Sequence, residues 1–583
     1  MENDQKKKKF HLKKKTIAKK FLTSVTACLM FSSAVSCAFA QAKPLNVKQT
    51  LDIINPDKDI TTTYANYYIT GSSDPNKELY LNGHPIENRC KYGSFVIYVD
   101  LSVGRNVVEM TQNGASEKLY ITRVDSSSQV TPSTTKNVTS MFPVYDYGIK
   151  AGNTVEIQCT APSGASVYAV VNGQTVNLKQ VAATSVSGVP AIFKGQYTAS
   201  SNSSNSTTNV GKVTYYMNNG GVQSSWNSVG DLYVVGSNAD FVVEVKEENV
   251  VTFAQGKKVQ PYYSVLRKGS TDKVVDMTGD LYQLASGGWI RQNAVTPIAG
   301  NASVYATFND VKFSQSATRD IYNFSTTSKP AFKVTQTDQN ITVKFYNTDG
   351  ISSIPYAEGR FFSGASVTSE NGNLTLSFDI KQGQVVWGYD ISYVDGGVQL
   401  IFKERPFLGS SDKPLANTVV CLDPGHGGKD SGALGVQGTK GPMEKDITLA
   451  TAYAIKERLE GLGAYVVLTR TDDTFINLDD RDKVARANNS DFLISVHANS
   501  VAVNRNGNEA KGVEVYYNQP NSYKLAQNLF NNTTANTGRP QRKVFYSHYI
   551  ITLGTHAPST LLEMGFMPNP VEYHDMCSPS GME

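Results

Sequence analysis

The sequence predicts a multidomain protein: N-terminal all-β modules followed by a C-terminal α/β domain with a largely parallel or mixed sheet. Three observations carry this. The chain has 583 residues, too many for one hydrophobic core. Up to about residue 405, short apolar runs alternate with polar residues and are broken by Gly, Asn and Ser turns, which is the period of half-buried strands. Beyond Pro414, continuous apolar strands alternate with stretches of helical period, the pattern of a sheet with crossover helices.

The N-terminus stands apart. Residues 1–40 carry nine lysines against Glu2 and Asp4, a balance of +7 within a formal total of +4, so the remaining chain stands at −3. That remainder gives no reason to expect nucleic-acid binding. The basic stretch Lys6 to Lys20 precedes an apolar run from Phe21 to Val35, then Ala38, Phe39 and Ala40. This is the pattern of a secretory signal peptide over 1–40, cleaved after Ala40. A membrane anchor and lipidation at Cys37 are the alternatives, but the apolar run is short for the ~30 Å hydrocarbon core. No stable membrane span is expected in the mature chain. Cys28 and Cys37 fall in the signal; Cys90, Cys159, Cys421 and Cys577 are far apart and form no CxxC pair, so no disulfide framework or zinc ribbon is expected.

Four β regions follow. Residues 45–125 contain short strands and an Asn82-Gly83 turn, and resemble bacterial immunoglobulin-like modules. Residues 126–138 read as a linker, and 139–240 as a second β domain interrupted by the polar stretch 199–209. Residues 241–298 end in a strand, a Gly-Gly turn and a Trp-bearing strand, resembling an SH3-like module. In 299–405, Leu374, Leu376, Phe378 and Ile380 share one strand face, as do Ile341, Val343 and Phe345.

The C-terminal domain is expected over 415–583. "TVVCLD", "AYVVLT", "DFLISVH", "GVEVYY" and "STLLEM" read as strands; "EKDITLATAYAIKERLEGLG", "LDDRDKVARANN" and "SYKLAQNLFNNT" read as helices. Sites in such sheets gather at the carboxyl ends of strands. His426, His497 and Glu563 fall there, and Glu444 opens the first helix. His426, Glu444 and His497 form a His₂Glu set, the donor pattern of a catalytic zinc with a fourth position for water. Gly425, Gly427 and Gly428 around His426 remove side chains and permit positive φ. Asp423 is expected to orient that loop or a ligand.

"DPGHGG", "EKDITLA", "SVHAN" and "LLEMGFMPNP", in this order, resemble the zinc-dependent N-acetylmuramoyl-L-alanine amidase family, type 3 catalytic domain. The resemblance implies cleavage of the amide between N-acetylmuramic acid and L-alanine of the peptidoglycan stem. It implies Zn²⁺ on His426, Glu444 and His497, with Glu563 as catalytic glutamate. Such a protein would be secreted and cell-wall associated, with peptidoglycan as partner. The β modules would be spacers, or would bind wall polymer through exposed aromatic platforms. An adhesion protein with an inactive amidase domain, or a zinc peptidase of the stem, remain alternatives. Asn499, Arg470 and Arg481 also match the family pattern and are read as mainly structural; His548 and His556 are read as loop residues. No amphipathic helix is read after Glu563, which leaves two expectations: a C-terminally incomplete domain, or a complete one with one face of the sheet uncovered.

Overall fold

The computed structural model describes residues 45, 47–86, 89–125, 134–182, 187–259, 262–356 and 360–582. The expected signal peptide and most of the linker after residue 125 lie outside the described residues. Among them, no helix is long and apolar enough to cross a membrane.

Separate sheets succeed one another along the first 400 residues. Strands within 52–123 form a three-stranded and a five-stranded sheet. Strands from Tyr147 to Val235 form one seven-stranded sheet, and strands from Val242 to Pro297 form another. Two four-stranded sheets between Asp310 and Glu404 then face a shared aromatic core. There the alternation does what its period requires: Leu374, Leu376, Phe378, Ile341, Val343 and Phe345 are all fully buried.

The C-terminal domain is built on six strands: β1 (Val419–Pro424), β2 (Tyr465–Leu468), β3 (Phe492–Asn499), β4 (Val513–Tyr517), β5 (Gln541–Tyr546) and β6 (Ser559–Phe566). Their order in the sheet is β2-β1-β3-β6-β4-β5. The first four are mutually parallel; β4 runs antiparallel to β6, and β5 runs parallel to β4. The sheet is therefore mixed. The helices are α1 (Glu444–Gly461), α2 (Leu478–Ala487), α3 (Tyr523–Thr537), α4 (Pro570–Met576) and α5 (Pro579–Met582).

Two elements differ from the sequence reading. The edge strand β5 was not anticipated: its first three residues are exposed and polar, so it lacks the apolar alternation that marks a strand. A helix does follow Glu563. It is α4, started by Asn569, whose side chain accepts from the amides of Val571 and Glu572, with Pro570 at the first helical position. At seven residues it is too short to display a helical period. Tyr573 and Met576 of α4 are buried in one core with Val496, Val513 and Met567, so that face of the sheet is covered.

The N-terminal module closes the same core. Tyr68 and Val96 pack into it. The Tyr68 amide donates to the Val503 carbonyl (2.9 Å), Asn508 Nδ2 donates to the Val96 carbonyl (2.6 Å), and Ser94 Oγ lies 2.8 Å from His574 Nε2 on α4. A second seam, made by the 241–405 region, is ionic: Arg486 of α2 donates twice to Asp390, and Lys403 pairs with Asp491 at 2.8 Å.

Candidate metal centre and active site

The loop after β1 turns sharply to deliver His426. A Cβ on Gly425 would lie 2.3 Å from the His497 ring, so only glycine permits that approach. Gly427 and Gly428 take φ of +130° and +57°, and His426 itself sits at φ +61°, a sparsely populated region for a residue with a side chain. The surrounding structure must hold it there. Arg481 of α2 does so, donating through Nη2 to the His426 carbonyl (2.9 Å) and through Nη1 to the Pro424 carbonyl (2.9 Å). Arg470 donates to the carbonyls of Pro424 and Gly425 at 3.0 and 2.8 Å. Both arginines are almost fully buried.

Asp423 anchors this frame. Its carboxylate accepts from Thr469 Oγ1 (2.6 Å), Arg481 Nη1 (2.8 Å) and Ser495 Oγ (2.6 Å). Burial alone would raise its pKa, but the Arg481 charge and the two hydroxyls hold it below the usual range. Asp423 therefore acts on the loop through Arg481 and does not contact His426 directly.

His426, Glu444 and His497 converge, with one candidate ligand atom from each lying within 4.8 Å of the others. Glu444 Oε1 is 3.1 Å from His426 Nε2 and 3.0 Å from His497 Nδ1. The carboxylate is fixed by backbone: Oε1 accepts from the Ala498 amide (3.0 Å) and Oε2 from the Ala433 amide (2.7 Å). Burial pushes the Glu444 pKa up, but the hydrogen bonds and charges of the two imidazoles outweigh it and keep the group ionised. For His426, burial works against protonation, while Glu444 and Asp430 overcome it and raise the pKa. Two imidazoles and one buried carboxylate make a donor set suited to zinc.

Asp430 was missed in the sequence. Its Oδ2 lies 2.9 Å from His426 Nδ1, which turns Nε2 toward the cluster. The signal was available: an aspartate four residues past the histidine, in the same glycine-rich loop.

Glu563 lies on β6, in register with His497 on β3 and with Glu514 on β4. Its Oε2 is buried and accepts no hydrogen bond among the described residues. Burial, followed by the charges of Glu444 and Glu514, raises its pKa well above the ordinary value. Glu514 was also missed. It accepts from Asn499 Nδ2 (2.8 Å), Tyr516 hydroxyl (2.5 Å) and Arg542 Nε (2.5 Å). His548 lies in the loop after β5 against Tyr262, and His556 in the loop before β6, 3.5 Å from Asp482; neither joins the His426–Glu444–His497 cluster.

Residues 420–583 match the family profile described as N-acetylmuramoyl-L-alanine amidase. An uncharacterised Bacillus subtilis protein, YqiI, is 35% identical over 161 residues, which are 27% of this chain and 74% of YqiI. The N-acetylmuramoyl-L-alanine amidase LytC of the same organism is 32% identical over 160 residues, so this chain spans only 31% of LytC's length. Among solved structures, the catalytic domain of the amidase CwlV from Bacillus (Paenibacillus) polymyxa var. colistinus is 33% identical; the match covers 28% of this chain and 89% of that domain, with a TM-score of 0.27.

Proposed function

Because the chain belongs, through residues 420–583, to the N-acetylmuramoyl-L-alanine amidase family, we propose that it hydrolyses the amide between N-acetylmuramic acid and L-alanine of the peptidoglycan stem, with zinc held by His426, Glu444 and His497. The observation that carries this reading is the convergence of those three side chains beside Glu563 at one edge of the sheet.

The division of labour follows from the surroundings of each residue. His426, His497 and Glu444 would hold the metal, with Asp430 fixing the His426 tautomer and the Ala433 and Ala498 amides fixing Glu444. Zinc, when bound, supplies the Lewis acidity that hydrolysis of an unactivated amide requires. Glu563 moves the proton. Its Oε2 accepts one from the attacking water and returns it to the departing L-alanine nitrogen, so the C–N bond breaks with a neutral amine leaving. A carboxylate with raised proton affinity suits a group that must carry a proton between two steps. The basic, apolar start of the chain supports export to the cell wall, where the β modules would act as spacers or tethers.

Mass spectrometry of muropeptides digested by the full mature chain tests this. New amino groups on L-alanine are expected. Cuts between amino acids would make it a stem peptidase, and no cleavage of zinc-supplied sacculi would make it an adhesin.

A further inference from the structure

β4 and β5, which run parallel to each other and antiparallel to β6, place their N-terminal ends at the edge where the other strands end. Glu514, second in β4, is the cross-strand neighbour of Glu563. Arg542, second in β5, donates through Nε to Glu514 Oε1 at 2.5 Å. Its guanidinium carbon lies 4.9 Å from the ring centroid of Phe566, three residues past Glu563. We propose that Arg542 reads a free carboxylate on the stem peptide, so that the enzyme prefers an anionic stem over the same stem amidated at that position. This rests on the amidase reading and names what would discriminate among its substrates.

Arg542 is more than a counter-ion for Glu514. Glu514 already accepts from Asn499 and Tyr516, and it is buried. Arg542 engages it with Nε, leaving the terminal nitrogens nearly unused. Nη1 reaches only the Lys511 carbonyl at 3.4 Å, and Nη2 has no hydrogen-bond partner among the described residues. The Arg542 side chain is 41% exposed. Stacking on Phe566 and the bond to Glu514 fix the plane of the guanidinium, which lowers the entropy lost on engaging a planar carboxylate. Lys511 and Lys543 are exposed beside it, Lys543 in register with Glu514, so the local balance favours an anion.

The strand order sets the reach. Two inter-strand spacings separate β6 from β5, or about 10 Å. An extended peptide covers ~3.3–3.6 Å per residue. The carboxylate read by Arg542 therefore falls within about three residues of the scissile bond.

The test uses the full mature chain loaded with zinc and two soluble muropeptides. They are identical except that one carboxylate, within three residues after L-alanine, is free in one and a primary amide in the other. The native protein should show kcat/KM about tenfold or more in favour of the free carboxylate, the worth of a charge-assisted hydrogen bond. Arg542→Gln should bring that ratio to about one, and Arg542→Lys should keep part of it. Equal rates on both substrates for the native protein, or a preference that survives Arg542→Gln with unchanged zinc content, would overturn the inference alone. Cleavage of neither at the muramoyl bond would overturn the amidase reading and this inference with it.

Discussion

Two carboxylates at the working edge of the sheet are wired alike and surrounded differently. Asp423, at the end of β1, accepts from Thr469, Ser495 and Arg481. Glu514, at the start of β4, accepts from Asn499, Tyr516 and Arg542. Each therefore takes two neutral donors and one arginine. The arginines differ: the Arg481 side chain is 4% exposed and spends its remaining donors on the carbonyls of the His426 loop, whereas that of Arg542 is 41% exposed and keeps donors in reserve. The same motif is a scaffold where its arginine is buried and a candidate recognition element where it is exposed. The candidate metal ligand His426 hangs from the first, and Glu563 lies on a strand between the two.

The largest effects are expected where the scaffold delivers its ligands. His426→Ala and His497→Ala should lose zinc and fall to background activity, because two remaining protein ligands do not make a catalytic site. Glu444→Gln should resemble them, since both imidazoles converge on its Oε1. Glu563→Gln should keep its zinc and still lose ~10²–10⁴ in rate, the usual contribution of a positioned acid–base group. Metal analysis beside activity separates the two classes. If Glu563→Gln lost zinc while Glu444→Gln kept it, the roles of the two glutamates would be exchanged.

Breaking the scaffold itself comes next. Asp423→Ala would leave the buried Arg481 charge without its partner, a loss of about 3–5 kcal/mol. Denaturant unfolding of the metal-free protein should register it, and zinc affinity should fall as the His426 loop is released. The pH dependence has a definite sign. Asp423 is held below the ordinary aspartate range, so its contribution is present above the unfolded pKa of about 3.9 and is lost as pH falls through the lower folded value. Asp423→Asn should therefore flatten the acid limb of the stability profile; an unchanged limb would show that other carboxylates dominate it.

The comparison also explains what the sequence disclosed. The parallel half was legible because each candidate site residue ends an apolar strand or opens a long helix: His426 follows "VVCLDPG", His497 closes "DFLISVH", and Glu444 starts an 18-residue helix. Glu514 and Arg542 were not legible, and Asp430 was marked only by its place four residues past His426. Their importance depends on contacts across loops and strands: Asp430 to His426, Glu514 across to β6, and Arg542 on an edge strand whose polar start hides its period. α4 was invisible for a related reason, since its stability comes from Tyr573 and Met576 entering a core shared with Tyr68 and Val96, far away in the chain. A short segment fixed by distant partners carries little local signal.

The smallest expected effect is the sharpest check on the comparison. Thr469→Val and Tyr516→Phe each remove one neutral donor from one carboxylate. Thr469 is 8% exposed, and the carboxylate it serves is fully buried against Arg481, so its loss should cost stability, by about 1–3 kcal/mol. Tyr516 is only partly buried, and its partner Glu514 keeps Asn499 and Arg542, so Tyr516→Phe should barely move the unfolding midpoint. It should instead loosen the seat of Arg542, with kcat/KM on an anionic stem falling by less than tenfold and zinc content unchanged. If Tyr516→Phe destabilised the fold as much as Thr469→Val, the Glu514 node would be a second scaffold. The exposure of Arg542 would then have no functional meaning.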